Sequence, residues 1–329
     1  MNNRVIIYTV GMTFFLMLTA CSSDSFTSEP DNQQHIVIFQ SDVQSDMTRS
    51  RQTVDYNRWS EGDQIAISDV TANSPLYYSA NAASTENGGS ATFSPIDANN
   101  TIYWPADKRN MHYDAWYPYS ASRPTSSPTV PANQNTSDAT DCDLLYAPGA
   151  EYAFVQGTGS EPDPQIVPLT FYHQMAHIIV NIHIMTDDTW GSVTIGDGSN
   201  NIGRTRAITK LGVTGETATE TTATTWGTLS DLSTISPKQL SADNTNKSYS
   251  YECILPPQSG TNAYDLMTII TKMANNADRT YHYKTNYNFQ AGYQYIYNFE
   301  LSIQGIIMTA SIVPWTDQAT HTVTDPLLM

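Results

Sequence analysis

From residue 281 the chain reads Tyr281-His282-Tyr283-Lys284-Thr285-Asn286-Tyr287-Asn288-Phe289-Gln290-Ala291-Gly292-Tyr293-Gln294-Tyr295-Ile296-Tyr297-Asn298-Phe299-Glu300-Leu301. Large apolar side chains fall on every second position through most of the stretch, on both sides of Gln290-Ala291-Gly292. A period of two puts successive side chains on opposite faces of an extended backbone, so the stretch reads as two half-buried strands. The Ala-Gly pair between them predicts a hairpin. Tyrosine suits such positions because its ring fills a core while its hydroxyl reaches a polar partner.

The same period recurs in both directions. Ala176, Ile178, Val180, Ile182 and Ile184 share one parity, as do Tyr249, Tyr251, Cys253 and Leu255, then Leu266, Thr268 and Ile270, and finally Met308, Ala310 and Ile312. Nearer the start, Ile65-Ala66-Ile67, Leu76-Tyr77-Tyr78, Ala91-Thr92-Phe93, Thr101 to Pro105, Met111 to Tyr119 and Asp143 to Ala147 read as short strands parted by Gly, Pro, Asn and Ser. Beyond the first twenty residues nothing sustains a helical period. The fold class is therefore all-β, two β-sandwiches in tandem, with the boundary expected near residue 185. The long Pro/Ser/Thr/Asn-rich stretch Ser120 to Thr140 is expected at the surface, and with Gly157 to Pro168 it is where an adhesive patch would be sought.

The first fifty residues follow other rules. Arg4 precedes a nearly uncharged run, Val5 to Ala20, too short for a membrane span but of signal-peptide form. The small Ala20 before Cys21 has the form of a bacterial lipobox, so residues 1–20 are expected to be removed and Cys21 lipidated; several acyl chains together make stable anchorage. Residues 21–51 then comprise a polar tether, an isolated apolar strand at Ile36, Val37, Ile38 and Phe39, and a basic spot at Arg49 and Arg51. That strand has no hairpin partner close by and must pair with something distant. The remaining body divides into 52–185 and 186–329.

The formal charge is −17, and losing Arg4 with the leader makes it −17 − 1 = −18. Such a chain repels nucleic acid, which is excluded as a partner. Once Cys21 is lipidated, Cys142 and Cys253 remain, expected to stay separate and inert. His173, His177 and His183 do not suggest a metal site, because strand residues four apart are separated by about 13 Å; a bridging role is expected of His173. No G-x-S-x-G, G-x-x-x-x-G-K or H-E-x-x-H is present. Neither an enzyme, nor a cofactor, nor a metal is expected.

Several stretches together resemble the fimbrillin family of Bacteroidetes, the subunits and anchors of type V pili, in its Mfa-like branch. They are the lipobox at Cys21, Arg49, Trp59-x-x-Gly62-Asp63-x-Ile65, Tyr113-x-Ala115-x-Tyr117-Pro118, Asp143-Leu144-Leu145-Tyr146-Ala147, Leu169-x-Phe171-x-His173-x-x-Ala176, Leu255-Pro256-Pro257-Gln258, Gly292-Tyr293-x-Tyr295 and Ile312-x-x-Trp315. The resemblance implies two transthyretin-like sandwiches and export as an outer-membrane lipoprotein to the cell surface. It further implies cleavage after Arg49 or Arg51 by a trypsin-like protease, release of the strand Ile36 to Phe39, and its replacement by a strand from another pilus subunit. Partners would then be other subunits, the protease, the membrane before cleavage, and a host or bacterial surface ligand. From Ser50 the product has 329 − 49 = 280 residues. The rival reading is a surface glycan-binding lipoprotein that does not polymerise. Residues 316–329 are polar and thin as a strand to donate, which favours a terminal or accessory subunit over a shaft subunit.

Overall fold

The computed structural model describes residues 34–43, 59–69, 75–81, 90–120, 128–135, 142–156, 164–197, 202–213, 219, 222–315 and 322–323. The leader, Cys21, Arg49 and Arg51 lie outside the described residues. The chain is all-β: apart from one turn of 3-10 helix at Ala98–Asn100, every regular element described is a strand.

The first seven strands are β1 (Val37–Val43), β2 (Gln64–Asp69), β3 (Leu76–Ala80), β4 (Ala91–Pro95), β5 (Met111–Tyr117), β6 (Leu145–Tyr152) and β7 (Gln165–His173). They pair in the order β1-β4-β3-β2-β5-β6-β7 and close on themselves. The expected first sandwich is thus sealed into a barrel. The sealing strand is β1, antiparallel to β4 and parallel to β7. Ile65, Ile67, Tyr78, Phe93, Tyr113 and Phe171 fill the interior. Their neighbours of opposite parity on β2, β5 and β6 are buried too: Ala66, Trp116 and Tyr146 pack into the core of the second half. The two halves therefore share apolar contact.

The later strands are β8 (Ala176–Ile184), β9 (Thr189–Ile195), β10 (Ile202–Lys210), β11 (Thr225–Ser233), β12 (Lys238–Asp243), β13 (Ser248–Leu255), β14 (Gln258–Gly260), β15 (Met267–Lys272), β16 (Asp278–Tyr283), β17 (Tyr287–Phe289), β18 (Tyr293–Ser302), β19 (Gly305–Pro314) and β20 (Thr322–Val323). A six-stranded sheet, β12-β13-β8-β18-β19-β20, faces a three-stranded one, β16-β15-β9, with β10-β11 and β14-β17 as separate ribbons. Strand β8 corrects the expected boundary. It lies between β13 and β18, so strand pairing divides between His173 and Ala176, ahead of β8 rather than at residue 185.

The expected hairpin of Tyr281 to Leu301 does not form. β16 pairs with β15, β17 with β14, and β18 with β8 and β19. The parity nevertheless holds, with Tyr281, Tyr283, Phe289, Tyr295, Tyr297, Phe299 and Leu301 all buried. Instead of lying side by side, the two runs sit in opposite sheets with their inward rings meeting across the core. Tyr283 packs edge-on against Phe299, with centroids 5.1 Å apart. Burial drives the Tyr297 hydroxyl pKa far upward.

Part of the stretch expected at the surface is also placed otherwise. Within Ser120 to Thr140, residues 128–135 cross to the second half: Val130 N–H donates to Arg204 O at 2.9 Å, and Gln134 N–H to Ser236 O at 2.9 Å. The Gln134 side chain is fully buried; its Nε2 donates to Ile254 O (2.8 Å) and its Oε1 accepts from Ile254 N–H (2.9 Å). Pairing of β12 with β13 reaches only Glu252, so past that point the Gln134 amide takes the place of a strand neighbour. A primary amide can do this because it carries a donor and an acceptor spaced like those of a peptide unit.

Candidate strand-exchange site

Strand β1 pairs along both edges: Val37 to Val43 lie beside Gln165 to Phe171 on one side, and Phe39 to Ser41 face Phe93 to Ala91 on the other. Its inward side chains are Val37, Phe39 and Ser41, all buried. Ile36 and Ile38 point outward; Ile36 bridges to Tyr103, and Ile38 lies beside the exposed Ile166. The distant partner that the lone apolar stretch demanded is therefore the first half itself. The strand runs four residues beyond Phe39, and its third inward position, Ser41, escaped the sequence reading because a serine carries no apolar signal.

Local geometry holds β1 at its head. Val37 N–H donates to Ile102 O (2.9 Å), Trp104 N–H to His35 O (2.8 Å) and Gln165 N–H to Ile36 O (2.8 Å). Tyr78 Oη donates to Val37 O at 3.3 Å while accepting from Ile102 N–H at 3.0 Å. Burial pushes the Tyr78 pKa up to about 12, although the Ile102 amide partly offsets it by favouring the phenolate. The Phe39 ring meets Tyr78 and Tyr113 edge-on, with centroids 5.0 and 5.2 Å away. Burying Val37 and Phe39 stabilises the closed ring by about 1.5–3 kcal/mol each. Were β1 to leave, β4 and β7 would face each other across a gap of about 10 Å, two inter-strand spacings, each with an open row of backbone donors and acceptors.

A second cluster gathers three of the sequence stretches quoted above. His173 Nδ1 lies 2.7 Å from Asp143 Oδ2, and the His173 ring stacks on Trp315 with centroids 4.0 Å apart. His177 stacks on Trp315 as well (4.9 Å), with Nε2 3.2 Å from Glu252 Oε2 and Nδ1 accepting from Gln294 Nε2 at 2.9 Å. All but Gln294 are buried. His173 bridges elements, as expected of it, and His183 is exposed and apart from the cluster. The joint ties the end of β7 to β8, β13 and the residue that follows β19. Cys253 is fully buried, which raises its thiol pKa, and Cys142 packs against the same core. No group of His, Cys, Asp and Glu among the described residues is arranged to hold a metal ion, and no described helix is long and apolar enough to cross a membrane.

Residues 48–315 match the sequence model of the fimbrillin-like proteins. The chain belongs to the fimbrillin-like family. No curated protein matches it in sequence. Among solved structures, a candidate cell adhesion protein of Bacteroides uniformis is similar at 20% identity and a TM-score of 0.58, over 88% of this chain and 100% of that one. Another candidate cell adhesion protein, from Bacteroides ovatus, is similar at 17% identity and a TM-score of 0.52, over 87% and 99%. A looser likeness, at 9% identity and a TM-score of 0.44 over 85% and 100%, is to the C-terminally truncated tip fimbrial protein Mfa3 of Porphyromonas gingivalis. The first two likenesses establish a shared fold. The fimbrillin-like match begins at residue 48, after β1 has ended at Val43, so the strand that closes the ring lies outside the matched region.

Proposed function

We propose that this fimbrillin-like chain is a structural, tip or accessory subunit of a surface fimbrium and supports adhesion of the cell that carries it. It reaches the outer membrane as a lipoprotein through Cys21. A trypsin-like protease cuts after Arg49 or Arg51, β1 departs, and a strand from another subunit takes its seat.

One observation carries the reading: a single strand, linked in sequence to the body by residues 44–58, closes the ring by pairing with β4 on one edge and β7 on the other. Both basic candidates fall inside that connection. An open pair of sheet edges lined with apolar seats is the arrangement that strand addition uses, with backbone hydrogen bonds supplying affinity and alternate side chains supplying specificity.

Brief trypsin treatment of the full chain followed by N-terminal sequencing tests this. The expected product begins at Ser50 or Gln52 and stays folded while the β1 peptide remains bound or is displaced by added strand. A first cut elsewhere, or a product that unfolds at once, refutes the maturation step. Mixing cut protein with its partner subunits should then give ladders resistant to mild SDS.

A further inference from the structure

We propose that the seat of β1 is built for a strand with apolar side chains at three alternate positions, the central one large. Residues 316–329 of a second copy do not fit it. The inference rests on the strand-exchange reading and adds what the incoming strand must carry.

The three seats are defined by register. At the first, Val37 is buried, and its carbonyl accepts a hydrogen bond from the Tyr78 hydroxyl. At the second, Phe39 lies between Phe93 and Val167 in register, with the rings of Tyr78 and Tyr113 edge-on to it. At the third, Ser41 lies between Ala91 and Leu169, both buried and apolar. The Ser41 hydroxyl is itself buried, and its oxygen has no hydrogen-bond partner among the described residues. A hydroxyl in that position has given up water without replacing it, whereas a methyl there loses nothing. The resident strand is therefore a good occupant at two seats and a poor one at the third. Main-chain pairing is common to any strand, so a strand with an apolar third residue binds more tightly than β1. This gives exchange a direction.

Residues 316–329 read Thr-Asp-Gln-Ala-Thr-His-Thr-Val-Thr-Asp-Pro-Leu-Leu-Met. Taken at every second position, no frame places apolar side chains at all three seats. Ala319-His321-Val323 puts an imidazole at the centre, Val323-Asp325-Leu327 a carboxylate at the centre, and Asp325-Leu327-Met329 a carboxylate first. Burying a charge among Phe93, Tyr78 and Tyr113 without a counter-charge is strongly unfavourable. Part of the same segment is also engaged at home, since Thr322 and Val323 pair with Ser311 and Ala310 of β19.

The experiment uses the full chain cut by trypsin after Arg49 or Arg51, with the released segment washed away and labelled peptides added. The peptide of residues 34–45 is expected to rebind, and its Ser41→Ala form to bind about tenfold tighter or more, which is the worth of removing one unpaired buried hydroxyl. The Phe39→Asp form and the peptide of residues 316–329 are expected not to bind. A 316–329 peptide that binds as well as 34–45 overturns the proposal, as does a Ser41→Ala peptide that binds no tighter. Failure of the 34–45 peptide to rebind refutes strand exchange itself. The seat chemistry is then decided in the uncut chain, where Ser41→Ala is expected to raise the melting temperature and a lowered or unchanged value overturns it.

Discussion

Replacing Phe39 with alanine tests whether β1 opens as a unit of its own. The phenyl ring is fully buried and edge-on to two tyrosines, so its removal leaves a cavity that the rigid strands around it fill poorly. Truncations of this kind cost about 3–5 kcal/mol. At 1.4 kcal/mol per factor of ten, the open ring becomes about 10²- to 4 × 10³-fold more populated. Amide exchange of the uncut chain reads this at three N–H groups that β1 and its lead-in either donate or receive: Val37, Trp104 and Gln165. Their exchange is expected to accelerate by that factor. Met185 and Gly292, hydrogen-bonded within the second half, are expected to keep their rates. Equal acceleration in both halves would show that β1 opens only when everything unfolds; no acceleration would show that Phe39 does not hold it.

Three further outcomes follow from packing and burial. Gln134→Ala strips both partners from the Ile254 backbone, and with about 1–3 kcal/mol for each buried group left unpaired, urea unfolding should shift by about 2–6 kcal/mol; a shift under 1 kcal/mol would mean that water replaces the amide. Trp315→Ala removes the surface on which His173 and His177 stack and should lower stability by about 3–5 kcal/mol in thermal melts, with Trp315→Phe losing much less. Finally, the Tyr78 pKa is raised from 10.0 to about 12, so its stabilising contribution is complete below pH 10 and declines as pH rises to 12, because the unfolded chain ionises first. The loss should approach 2 kcal/mol, visible as a falling urea midpoint and a delayed phenolate absorbance; a midpoint flat from pH 10 to 12 would contradict the burial of Tyr78.

Alternation made the faces of the strands legible, and little else about their partners. Tyr295, Tyr297 and Phe299 were assigned inward and are inward, yet the run before them pairs in another sheet, because a period of two specifies which way a side chain points and not which strand lies beside it. The same limit misplaced β8, whose own pattern is the same whether it ends one unit or sits in the middle of the next. Ile36 to Phe39 was legible as a strand needing a remote partner, since it stands alone among polar residues. Its third seat was not, because Ser41 is polar in type and buried only by register. Gln134 was invisible for a related reason: a polar residue in a Pro- and Ser-rich stretch gives no hint that its amide will complete a sheet. The joint of Asp143, His173 and Trp315 was present in sequence as three separate stretches, and only folding brings them together.

In the proposed maturation, the position of the cut matters more than the cut itself. Before it, β1 is held to its seat by 15 residues, 44–58, and such a connection sets an effective concentration on the order of millimolar. A competing strand at micromolar concentration is then outweighed about a thousandfold, whatever its fit. Cutting after Arg49 or Arg51 leaves every contact of β1 in place but makes its return bimolecular, so the tethering advantage vanishes and the seats alone decide. At that point the unpaired hydroxyl of Ser41 counts against the resident strand, and the better side chain at one position is enough to tip the exchange. On the proposed maturation, a groove protected in this way stays closed before the cut and becomes selective only after it. Lengthening the connection between Val43 and Trp59 by flexible repeats should therefore mimic the cut only weakly, since each doubling of length costs the tethered strand only about 0.6 kcal/mol; replacement of uncut β1 by a tight-binding Ser41→Ala peptide, followed by fluorescence anisotropy, should stay slow and incomplete across such a series and become complete only on cleavage.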